Sequence, residues 1–117
     1  MVLRPDAPRG RLLVVAADLG DDAASGALAE RLARAFGQAR DGVAELVPDG
    51  CVLFLGTGGA AARAGLISLT RSLALEWAPR GIRVNMLFGA GDADAELVTF
   101  VSGPASRMLT GAVIDAS

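Results

Sequence analysis

The sequence predicts a three-layer α/β sandwich built on a parallel sheet of about four strands. Short continuous apolar runs of strand length recur along the chain. Longer stretches with helical periodicity separate them, and the two kinds alternate as βα, βα, βα, β. Strands apolar on both sides belong to sheets covered on both faces, and parallel neighbours need a helix in each crossover.

"RLLVVAAD" (11–18) is the first such run, ended by an acid and Gly20. A helix is expected over 21–37, with Asp21 and Asp22 at its N-terminus. Ala24, Leu28, Leu32 and Phe36 form its stripe, and Gly37 is its stop. The stretch 38–50 reads as irregular or a short helical turn. "CVLFLG" (51–56) is the second strand. The longest helix is expected over 58–79, closed by Pro79 and Gly81. "IRVNMLF" (82–88) is the third strand, followed by a short helix starting near Asp92. A fourth strand lies around Ala112–Asp115. Residues 1–10 read as a poorly ordered leader, and 11–117 as a single domain.

Composition narrows the function. The chain has 117 residues and a net charge of −2, with its eleven cations scattered, so no basic footprint for nucleic acid or an anionic membrane is expected. Pro5, Asp6 and Pro8 stand where a signal peptide would be apolar, and Cys51 is the one cysteine. A soluble cytoplasmic protein is the expectation. The sequence contains no histidine, tyrosine or lysine, since all its cations are arginine. A histidine base, a Ser-His-Asp triad, a lysine Schiff base and a tyrosine proton donor are therefore all missing. Catalytic residues and a metal site are not expected within this chain.

The helix over 58–79 carries two apolar stripes. Leu66, Leu69, Leu73 and Trp77 form one; Ala60, Ala64, Ile67, Ala74 and Ala78 form the other. A helix apolar on two sides is usually covered on two sides, which predicts a subunit interface. Cys51 and Trp77 read as packing residues, and Asn85 as a satisfied structural amide.

"ARAGLISLTRSLALEWAPRGIRVNMLFGAG" resembles the active-site helix and following strand of short-chain dehydrogenases/reductases. "ELVTFVSGPASRMLTGAVIDAS" resembles that family's ending, so the resemblance covers about 60–116. It implies a minimal Rossmann/flavodoxin-like fold. Within the family, the chain is similar to the flavodoxin-like N-terminal domain of high-molecular-weight β-ketoacyl-carrier-protein reductases, which lacks catalytic residues. Aligned through "AGLISLTRSLA", Gly59 falls at the family's catalytic tyrosine and Arg63 at its lysine. The serine position falls near Gly56 or Thr57. The Gly-rich dinucleotide loop, the Asn-Ala-Gly motif and the substrate-covering loop are absent. The resemblance thus implies a non-catalytic domain that forms a homodimer or binds a full-length reductase through the helix 58–79. No cofactor is expected, or NAD(P) if any. A reductase that borrows its tyrosine and lysine from a partner chain is a further alternative.

"GTGGAA" (56–61) also matches a relaxed G-x-G-x-x-A fingerprint between a strand and a helix. Gly56, Thr57, Gly58 and Gly59 would let the backbone approach a phosphate at the helix N-terminus, with Arg63 adding charge. Asp18 resembles the family's acid near the adenine. The competing reading is a tight turn of small residues, with Asp18 capping its own loop.

Overall fold

The computed structural model describes residues 2–3, 12–20, 25–46, 50–89 and 95–115. Four parallel strands form the sheet: β2 (Leu12–Asp18), β3 (Cys51–Thr57), β4 (Arg83–Phe88) and β5 (Val113–Asp115). A two-residue strand, β1 (Val2–Leu3), pairs antiparallel with β2 at its outer edge. The rest of the expected leader, residues 1 and 4–10, lies outside the described residues. The strand order is β1-β2-β3-β4-β5, the order of the chain itself.

Among the described residues, three helices cover the sheet: α1 (Ser25–Val43), α2 (Ala60–Trp77) and α3 (Ala95–Ser102). Successive side chains of a strand alternate between faces, and the two cores follow that alternation. Leu13, Val15, Val52, Phe54, Val84 and Met86 pack on one face with Ala35, Ala39 and Val43 of α1 and Leu66, Leu73 and Trp77 of α2. Leu12, Val14, Leu53 and Leu87 pack on the other face, with Val98 and Val101 of α3. The sheet steps one way throughout while α3 changes face. The β4–α3–β5 connection therefore has the opposite hand to the two before it.

Two helix expectations are corrected. α1 does not stop at Gly37; it runs through it to Val43. Ala35, Ala39 and Val43, spaced by four, are all buried against the sheet. That burial outweighs the roughly 1 kcal/mol a mid-helix glycine costs relative to alanine. Leu28, Leu32 and Phe36 lie at the margin of this contact, partly buried. The expected caps Asp21 and Asp22, with Ala24 and Asp92, lie outside the described residues. A Cβ on Gly37 meets nothing within 4 Å. Gly37→Ala is thus expected to raise stability by about 0.5–1 kcal/mol, read from the urea midpoint.

The stripes of α2 are also redrawn. The helix begins at Ala60, and Pro79 sits in a 3-10 turn, Ala78–Arg80, that ends on left-handed Gly81. Ala62, Leu66, Thr70, Leu73, Ala74 and Trp77 are buried, while Ile67 and Leu69 are half-buried. Ala60, Ala64 and Ala78 are exposed, and Leu75, which belongs to neither expected stripe, is 80% exposed. Thr70 is fully buried, and its hydroxyl has no hydrogen-bond partner. An orphaned buried hydroxyl is destabilising. Thr70→Val is expected to raise stability by about 1 kcal/mol in the same assay.

Candidate functional site

In open α/β sheets, ligands bind outside the carboxyl ends of the strands, where neighbouring connections leave towards opposite faces. Here that place lies between β3, whose chain turns to α2, and β4, whose chain turns to the face of α3. Every site residue expected from the sequence gathers at or beside this end of the sheet.

Asp18 closes β2 and is the register partner of Thr57, which closes β3. The Thr57 hydroxyl and the Gly20 N–H each donate to Asp18 Oδ1 at 3.3 Å. The Leu19 N–H donates to the Thr57 carbonyl at 2.8 Å. Asp18 thus caps its own turn and ties it to the end of β3, although its carboxylate is exposed.

The glycines that follow approach protein atoms very closely. A Cβ on Gly56 would lie 2.3 Å from Leu66 Cδ2 and 2.8 Å from Phe88 Cδ2. Gly58 has φ +146°, and a Cβ there would lie 2.9 Å from both the Gly20 carbonyl oxygen and Ala62 Cβ. The Gly59 N–H donates to that same Gly20 carbonyl at 3.2 Å, and the Gly89 N–H donates to the Gly56 carbonyl at 3.0 Å. Main chain and side chains of the protein itself occupy the room these glycines leave.

Gly59 is the N-cap of α2 and makes no side-chain cap hydrogen bond. Its carbonyl accepts the Arg63 N–H at 3.0 Å. No capping side chain covers the first amides of the helix, and the N-terminal end of its dipole faces the sheet end. Arg63 stands one turn in, half-buried, with its Nε buried and without a partner. The corner therefore joins an uncapped helix start and one cation to the Asp18 carboxylate. Gly59 itself has no side chain with which to hold or pass a proton. Among the described residues, no three cysteine, aspartate or glutamate side chains gather as a metal site would need.

A polar network at the other end of β4 carried no obvious sequence signal. Arg83 Nη1 donates to the carbonyls of Val101 (3.1 Å), Ser106 (2.9 Å) and Leu109 (3.4 Å). The buried Ser106 hydroxyl lies within 2.7 Å of the Phe100 and Val101 carbonyls. Asn85 is fully buried; its Nδ2 donates to the Leu109 carbonyl and its Oδ1 accepts the Ala112 N–H, both at 3.0 Å. The amide is satisfied, as its sequence context suggested. Cys51 is buried beside this network, and desolvation pushes its thiol above its ordinary value. The charge of Arg83 and a hydrogen bond with Asn85 pull more weakly the other way. The network clasps the C-terminal segment to β4 and performs no evident chemistry.

The family model described as "Enoyl-(Acyl carrier protein) reductase" matches residues 57–107, from the end of β3 to just past α3. No curated protein matches the chain. Among solved structures, it is similar to a short chain dehydrogenase from Burkholderia cenocepacia J2315 in complex with NADP. That match has 25% identity and a TM-score of 0.66, and covers 90% of this chain and 63% of that one. It is similar to BdcA (YjgI) from E. coli at 27% identity and a TM-score of 0.69, covering 89% and 58%. A dehydrogenase/reductase from Sinorhizobium meliloti 1021 shares the fold at 23% identity and a TM-score of 0.70, covering 90% and 61%. The chain thus spans about 60% of the length of these three structures. No helix among the described residues is long and apolar enough to cross a membrane.

Proposed function

Because the chain is a relative of the short-chain dehydrogenases/reductases, we propose that it keeps their scaffold without their chemistry and acts through association. The observation that carries this reading is Gly59. It stands at the position aligned with the family's tyrosine and forms the bare N-cap of α2. With no tyrosine, lysine or histidine in the 117 residues, nothing nearby replaces the proton donor. The associating surface is the outward side of α2, where Ala64 and Ser68 are exposed and Leu75 is 80% exposed. Its partner is a second copy of the chain or a full-length reductase.

Sedimentation velocity tests the first partner and co-sedimentation with a full-length 3-oxoacyl-carrier-protein reductase the second. Leu75→Glu is expected to shift the complex to monomer without changing the fold. A strictly monomeric wild-type chain that ignores the reductase would refute association. The purified chain is expected to show no turnover with NADPH and an acetoacetyl substrate, and activity on its own would refute the loss of chemistry.

A second reading rests on the uncapped start of α2 beside Arg63. There the Gly56–Ala61 loop would hold an anion such as the phosphates of NAD(P). The glycine packing against Leu19, Gly20 and Phe88 weighs against it. Calorimetric titration with NADPH and ADP separates the two, because association alone predicts no heat at millimolar ligand.

A further inference from the structure

Arg71 and Glu76 stand on α2 as two unlike charges that the fold keeps apart. Both are exposed, and neither forms an ion pair with another described residue. A spacing of five turns one about 140° round the helix from the other, so their side chains do not meet. Between them, on the outward face, run Ser68, Ser72 and Leu75, all exposed. The buried residues Leu66, Leu73 and Trp77 lie on the opposite side. The two charges thus flank the outward line of the helix, one on each side.

Resting on the reading that the chain associates through α2, we propose that its partner is a second copy whose α2 runs parallel to the first about a two-fold axis. In two parallel helices packed along one seam, a residue on one flank faces the residue five further along on the opposite flank of its neighbour. Arg71 and Glu76 have that spacing. Arg71 of each copy then meets Glu76 of the other, twice by symmetry, with Leu75 against Leu75 between the two pairs. An antiparallel pair brings each flank against its own kind, so the charges select the parallel arrangement. The complementarity is to the chain's own surface: a second copy supplies both opposing charges at the required spacing, whereas a foreign surface has to match each of them separately. Flanking ion pairs of this kind set partner and orientation, while the close approach rests on Leu75.

Charge reversal tests the pairing, and because both positions are exposed the reversals leave the core untouched. Sedimentation equilibrium over a range of concentrations gives the dimer constant of the wild type, of Arg71→Glu, of Glu76→Arg and of an equimolar mixture of the two variants. Each reversal alone sets like charges across both contacts and is expected to weaken the dimer about tenfold. In the mixture every contact between unlike copies joins opposite charges again, and a heterodimer of wild-type strength is expected. At about 1 M salt the variants and the wild type are expected to converge. A wild-type dimer that neither reversal weakens, or variants that stay apart when mixed, overturns the parallel pairing and leaves association through α2 standing. A wild-type chain that remains monomeric at every concentration overturns the pairing and self-association together.

Discussion

Asn85→Leu is expected to lower stability by about 3 kcal/mol. The side chain is fully buried in β4 and serves both polarities of the chain beside it, donating to Leu109 and accepting from Ala112. Leucine is similar in volume, so the packing loss is small. What remains is an Ala112 N–H without its acceptor and a Leu109 carbonyl left with the longer bond from Arg83, at about 1–3 kcal/mol each. The Gly111 N–H to the Val84 carbonyl, the Met86 N–H to the Ala112 carbonyl, the Val84 N–H to the Thr110 hydroxyl and the bonds from Arg83 still hold the segment. Urea unfolding measures the loss. Hydrogen exchange should show the amides of 109–115 opening before those of β2 and β3, whose pairing does not involve Asn85.

Gly58→Ala is expected to cost about 2–3 kcal/mol, and for two separate reasons. The position has φ +146°, which L side chains rarely adopt, a strain of about 1–3 kcal/mol by itself. The new methyl would also press on the Gly20 carbonyl, a main-chain atom that cannot rotate away, and on Ala62. Gly26→Ala is the control: it meets nothing within 4 Å and should leave stability unchanged or slightly raised. Thermal unfolding of the two variants gives the difference. A Gly58→Ala chain as stable as the wild type would show that the loop opens freely, which would favour its use as a ligand cradle.

The four parallel strands were legible because each is an apolar run of the right length, and both faces of the sheet are covered. The helix ends were less legible. Gly37 signals a stop to any reading of local propensity, and only the sheet beneath Ala39 and Val43 overrules it. The burial of Thr70 was not legible, because helical spacing says nothing about how far a neighbouring strand reaches. At the site, the sequence could name Asp18, Gly56–Gly59 and Arg63, since small residues between a strand and a helix have few uses. It could not say what the glycines were making room for. A phosphate and a neighbouring turn ask for the same absence of side chain, and the atoms closest to Gly58 belong to the protein. Arg83 was invisible for a related reason: most of its acceptors are main-chain carbonyls, which every residue possesses.

The strands lie side by side in the order in which the chain runs. No segment has to be threaded between two others already in place, and each new strand docks on one that precedes it. Such an architecture can accrete during synthesis from the amino end, with each crossover closing a loop of modest length. The exception is the last step. The side chains of Asn85 and Arg83 emerge before 101–112, so the clasp between them closes only once that later segment has left the ribosome.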